Sequence, residues 1–210
     1  MKIIYILLIF TNISYCQSTM NADADKYAHR QTKRFSREGW QTQPGPEMFE
    51  MFKQEYLLRN EIFVSAEGTF SRYICATGNA KANTLNAAQR QAETISKENL
   101  LTAMQSSISG TISTQISNAQ LSIDVTKTVA EIKDRFEHNT SGDLVNIRNV
   151  ISVYRLEKNV YEYSVTSFYD IQQAGRQQLV EYIKRTYQDN PAFVTEEIRK
   201  LEYTQNTEKK

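Results

Sequence analysis

The sequence predicts an α+β fold: an antiparallel sheet of two hairpins, about four strands, packed against a long helix, with further helices flanking it. Three observations carry that expectation. Two stretches, near residues 61–81 and 144–169, alternate apolar and polar side chains about a short turn, the pattern of half-buried hairpins. Between them lies an Ala- and Ser-rich run in which apolar residues recur at steps of three and four, the helical period. Only 7 Gly and 3 Pro occur in 210 residues, which favours long regular elements over loops.

The first sixteen residues differ from the rest. Met1-Lys2 is a short basic start, Ile3 to Phe10 is an unbroken apolar run, and TNISYC precedes Gln17. The run is too short to span a bilayer and has the layout of a secretory signal peptide. Cleavage between Cys16 and Gln17 is one expectation. Lipidation of Cys16 is the other, with Tyr15 bulky where lipoprotein peptidases favour a small residue. Both send the protein out of the cytoplasm, to the periplasm or the outer membrane. Residues 17–204 then form a single α+β domain, and 205–210 a charged tail.

Lys2 is the only charge in that leader, so 25 basic residues become 24, against 24 acidic ones. A formally neutral chain has no bulk attraction for nucleic acid or for an anionic membrane. Cys75 is the one cysteine left after cleavage, so no internal disulfide is available to the mature monomer.

In chain order, a helix is expected from near Asn21, with Asp23 and Asp25 in its first turn, to Gly39. Arg30, Lys33, Arg34 and Arg37 fall on one of its faces. That stripe suits an acidic envelope polymer or lipid head groups, although such a stripe is more often a solvated face. After Pro44-Gly45-Pro46 a second helix carries Met48, Phe49, Phe52 and Tyr56. The first hairpin pairs Glu61 to Ser65 with Phe70 to Lys81 across the Ala66-Thr69 turn. Cys75 reads there as a small buried hydrophobe, because a nucleophilic role needs a nearby base and only His29 and His138 exist.

The long helix follows, capped by Asn83 or Thr84. Its core stripe is expected through Leu85, Ala88, Ala92 and Ile95, and then Leu101, Met104, Ile108, Ile112 and Ile116, with a step absorbed near Asn99. Residues 106–118 are read as helix, although Ser, Thr and Gly110 lower the propensity. A helix begun by Ser122 or Asp124 turns Val125, Val129, Ile132 and Phe136 inward. The second hairpin pairs Leu144–Leu156 with Val160–Tyr169 about Glu157-Lys158-Asn159. Tyr161, Tyr163 and Tyr169 share one of its faces, with Tyr154 across from them. A tyrosine face suits glycan or protein contacts, and equally plain sheet packing. Ile171–Tyr187 and a helix after Asn190-Pro191, with Val194, Ile198 and Leu201 inward, complete the chain.

The segment YICATGNAKANTLNAAQRQAETISKENLL resembles a strand, polar turn and Ala-rich helix found in small bacterial envelope proteins, the family typified by the twenty-kilodalton surface lipoprotein antigen of Helicobacter. A related fold occurs in the N-terminal domain of the flagellar protein FlgT. A wider likeness is to secreted proteins of Bacteroides-type bacteria. There a segment like Arg37-Glu38-Gly39-Trp40 precedes a Pro-Gly break, a strand–helix unit, a helix like Val125 to Ala130 and a Tyr-rich hairpin. The resemblance implies an envelope location and an α+β fold, and supplies no catalytic residues.

No phosphate loop, nucleophile elbow or His/Cys metal spacing occurs in the sequence, so no cofactor or metal is expected. The expected function is a non-catalytic envelope protein that binds or scaffolds other proteins or glycans. The alternative is a hydrolase of cell-wall or glycan material working through two carboxylates, drawn from Glu47, Glu50, Asp124, Asp143 and Asp170 among others. Self-association through residues 106–118 or the tyrosine hairpin is a third expectation.

Overall fold

The computed structural model describes residues 2–65, 68–138 and 147–208. Its elements are α1 (Lys2–Arg37), β1 (Gln41–Thr42), α2 (Met48–Arg59), β2 (Ile62–Ser65), β3 (Gly68–Ser71) and β4 (Tyr73–Ala82), followed by α3 (Leu85–Asn118), α4 (Val125–His138), β5 (Arg148–Glu157), β6 (Val160–Asp170), α5 (Ile171–Thr186) and α6 (Pro191–Glu208). The fold is α+β, with a four-stranded antiparallel sheet in the order β1-β5-β6-β4 and a separate two-stranded sheet of β2 and β3.

The expected pair of hairpins is rearranged. The second hairpin is present as β5 and β6, turning on Lys158 and Asn159, whose φ values of 50° and 65° give the left-handed turn that antiparallel strands favour. Leu144 and Val145 lie outside the described residues. The first hairpin is split. Its return strand breaks at Arg72, so β2 and β3 pair with each other from Ile62↔Ser71 to Ser65↔Gly68 while β4 joins the larger sheet. At the break, Arg72 is held by tertiary contacts: its carbonyl accepts from Ile171 N at 3.0 Å and its guanidinium is paired with Asp170. The fourth strand of the larger sheet is the short β1, in register with β5 at Gln41↔Tyr154 and Thr42↔Val153.

Contacts divide the chain into two compact units, each built from three chain segments: residues 1–61, 77–95 and 149–166 form the first, and residues 62–76, 96–148 and 167–210 the second. In the first unit, α1 packs on α2. Ala24 and Ala28, four apart and fully buried, give α2 room to approach, and ring pairs Tyr27–Tyr56, His29–Phe49 and Phe35–Phe52 stand at 5.3, 4.6 and 4.9 Å. The helix does not start near Asn21; it is continuous from Lys2. It ends where expected, at Gly39, with φ +81° and Trp40 N bonded back to the Phe35 carbonyl. A second cluster in this unit joins Ala88 and Ala92 of α3 to Tyr163 and Val165 of β6.

In the second unit, the core runs along the later part of α3, from Leu100 through Met104, Ile108 and Ile112 to Ile116, against Tyr169, Ile171, Leu179 and Ile183. Residues 106–118 are therefore helix. The buried stripe of α3 follows a strict spacing of four, Ala88, Ala92, Ser96, Leu100, Met104, rather than passing through Ile95 and Leu101. No step is absorbed at Asn99. The polar residue in the series, Ser96, is accommodated because its Oγ lies 2.9 Å from the Ala76 carbonyl and 2.8 Å from Ser167 Oγ. The α6 seam shifts too: Ile198 is half-buried and Glu197 is the buried residue, accepting from Ser122 N at 3.0 Å and paired with Lys200 at 2.6 Å. Ile132 is buried and Val125 and Val129 pack on the core, whereas the side chain of Phe136 lies outside the described residues.

Candidate functional site: a polar cavity in the second unit

The second unit contains a cavity of about 210 Å³, several times the roughly 30 Å³ that one water occupies in the liquid. Its first wall is the last turn of α3, where Thr114, Gln115 and Asn118 are brought to one side by helical spacing. The turn ends cleanly, since Gln120 takes φ 48° and Leu121 N bonds back to the Ile116 carbonyl. The second wall is the first turn and a half of α5, with Gln172, Gln173 and Arg176. Thr204 of α6 also lines it, and Leu201 of α6 and Phe63 of β2 close it with apolar surface.

Two features hold the α5 wall in place. Asp170 caps the helix, its Oδ1 accepting from Gln173 N at 2.9 Å. Its Oδ2 accepts from Arg72 Nε at 2.9 Å and pairs with Nη2 at 2.8 Å, a two-pronged contact that fixes both residues. The Gln115 amide donates to the Gln172 carbonyl at 2.9 Å and joins α3 to α5. One turn earlier on α3, a Cβ on Gly175 would come within 2.9 Å of Thr111 Cγ2, so the two helices approach closely only because position 175 has no side chain.

The charges of the site are unequal in their freedom. Arg72 is neutralised by Asp170 and lies over the Tyr73 ring at 5.2 Å. Arg176 is half-buried, and among the described residues it has no hydrogen-bond or ion-pair partner. A second cavity, of about 370 Å³, shares Arg72 and Gln173 with the first and adds Ile147, Arg148 and Phe168. Asp170 is the single carboxylate among the residues lining the two cavities.

The residues singled out in the sequence stand elsewhere. Arg30, Lys33, Arg34 and Arg37 are all exposed on α1, and Arg34 lies 5.0 Å from the Phe35 ring. Two members of the tyrosine face, Tyr163 and Tyr169, are buried. Tyr163 is 1% exposed and Tyr169 6%, in different units, and burial pushes both phenols up. Tyr154 and Tyr161 are partly buried against the Ala88–Tyr163 cluster. Ile108, Ile112 and Ile116 are likewise buried, which removes the apolar stripe of residues 106–118 from any self-associating surface. Among the described residues Cys75 is in no disulfide, and it is half-buried rather than buried. The side chain of Cys16 lies outside the described residues.

No family model, curated protein or solved structure matches the chain. The site therefore rests on its own geometry.

Among the described residues no helix is long and apolar enough to cross a membrane, and no group of three or more His, Cys, Asp or Glu side chains converges as a metal site would. The carboxylates considered for hydrolysis are dispersed. Glu47 and Glu50 are exposed in the first unit, and Asp124 caps α4 through Lys127 N at 3.2 Å. Asp170 is bound to Arg72, and Asp143 lies outside the described residues. The cavity residues escaped sequence reading because Gln and Arg on a helix resemble a solvated face. The one available signal was the density of amides in Gln172-Gln173-Ala174-Gly175-Arg176-Gln177-Gln178 beside a glycine.

Proposed function

We propose that this is a non-catalytic binding protein of the exported compartment, periplasmic or outer-membrane-associated, which takes a small polar molecule into the second-unit cavity. The observation that carries the reading is the lining itself: amides from two helices, two threonine hydroxyls and one uncommitted guanidinium around an apolar base. Polar groups converging in a concavity that also offers the apolar surface of Phe63 and Leu201 suit recognition of a small polar molecule. Export is supported by the sequence alone, through the apolar run Ile3–Phe10. The hydrolase alternative finds little support, since two carboxylates roughly 5 to 9.5 Å apart across a cleft are required, and the single carboxylate lining these cavities is held by Arg72.

Native mass spectrometry of the full chain in a mixture of small polar metabolites tests the reading. A one-to-one adduct is expected, lost when Asn118→Phe fills the cavity and retained in the exposed-site variant Lys33→Gln. Absence of any adduct, or an adduct indifferent to Asn118→Phe, would overturn it.

A further inference from the structure

We infer that the ligand of this cavity carries an oxyanion, a carboxylate or a phosphate, and that Arg176 is the residue that binds it. The inference rests on the small-molecule reading above and deepens it. A guanidinium removed from bulk water is ordinarily matched by an acceptor, because desolvating a charge without compensation is costly. Arg72, the other guanidinium on the cavity wall, follows that rule: it is matched to Asp170 at 2.8 Å, and the remaining carboxyl oxygen of Asp170 is used by the α5 backbone. Arg176 is the exception. It is half-buried on the cavity wall, and among the described residues nothing accepts from it.

Three further features give the same sign. The first turn of α5 lies at the cavity through Gln172 and Gln173, and the amino end of a helix carries partial positive charge. Asp170, the one carboxylate among the described residues lining the two cavities, is already paired with Arg72. The cavity lining beside Arg176 includes neutral donors, the side-chain amides of Asn118 and Gln173. The planar fork of a guanidinium matches a carboxylate or phosphate with two parallel hydrogen bonds, which a lysine in its place would not reproduce. A small acid with hydroxyls along its chain fits this lining: its anionic end on Arg176, its hydroxyls on the amides.

Titration calorimetry of the full chain separates the two claims. The probes are succinate, gluconate and inorganic phosphate, against 1,4-butanediol and glucose as uncharged counterparts of the first two. At least one anion is expected to bind, its neutral counterpart at least tenfold more weakly. Arg176→Gln should weaken the anion at least tenfold, and Arg176→Lys should recover part of that loss. Preference for succinate or gluconate over phosphate identifies the carboxylate source, and the reverse the phosphate source. Equal binding of glucose and gluconate, unaffected by Arg176→Gln, would overturn the anion claim and leave the small-molecule reading standing. Binding of none of the five by a chain that does form a metabolite adduct in the mass spectrometer would likewise overturn the anion claim alone.

Discussion

At the scale of single residues, the first unit shows how one buried carboxylate sets the ionisation of its neighbour. Glu55, 5% exposed, accepts from Tyr27 Oη at 2.9 Å and from Arg59 Nε at 2.9 Å. Burial, and then the Glu55 charge, push the Tyr27 phenol up from its ordinary 10 to about 12. The sign of the linkage follows. Between those values the unfolded chain has released the proton and the folded chain retains it, so stability falls as pH rises through this window. Below pH 10 the contribution is fully present; above about 12 it is gone. Tyr27→Phe removes the donor and should cost about 1.5–3 kcal/mol near neutral pH, the range for a hydrogen bond to a charged group. Urea denaturation of both proteins from pH 8 to 12 should show that difference shrinking across the upper two units. A difference that stays constant over the whole range would contradict the assignment of the raised phenol to Tyr27.

At the scale of elements, the close contact of α3 and α5 in the second unit decides whether the cavity walls stand where they do. Gly175→Ala should gain about 1 kcal/mol of helix propensity. It meets Thr111 Cγ2 at 2.9 Å and Cβ at 3.3 Å, and Thr111 cannot swing away cheaply. Its branched side chain is stiff in a helix, and its hydroxyl is bonded to the Ser107 carbonyl at 3.0 Å. Overpacking of this kind costs about 1–3 kcal/mol, so a net loss is expected. Thr111→Ser keeps the hydroxyl and deletes the offending methyl; on that background Gly175→Ala should become neutral or stabilising. Urea midpoints of the four proteins in the cycle measure the coupling, and additive effects would show that the two side chains do not compete for space. The same contact shows what was legible in the sequence. The existence of α3, α5 and the second hairpin follows from period and turn chemistry alone, and Ala88 and Ala92 announced a closely packed helix face. The register of the α3 stripe did not, because its third position is a serine, Ser96, whose two partners, Ala76 and Ser167, are far away in sequence. Glu197 was hidden for the same reason: a buried carboxylate is intelligible only once Ser122 N is known to face it. Arg176 looked like any other surface arginine until the cavity was seen.

At the scale of the whole chain, the proposed export bears on how much of α1 the fold needs. The described packing of α1 on α2 is made by Ala24, Tyr27, Ala28, His29 and Phe35, together with the ion pair of Asp25 with Lys53 at 2.8 Å. All of these residues follow Cys16, so cleavage before Gln17 leaves that packing whole and yields a formally neutral chain. The four basic residues on the exposed face also remain, at positions 30, 33, 34 and 37. A protein beginning at Gln17 should therefore unfold at the same urea midpoint as the full chain. One beginning at Gln31 deletes both buried alanines and the Tyr27–Glu55 bond, and unit 1 should lose its order. The single tryptophan, Trp40, reports on that unit: it packs on Phe35 at 5.7 Å and under Arg155 at 4.7 Å. Its emission should be unchanged in the Gln17 protein and shifted to the red, with a lowered midpoint, in the Gln31 protein. A Gln17 protein that melts well below the full chain would mean that residues 1–16 belong to the mature fold, and would count against cleavage at that point.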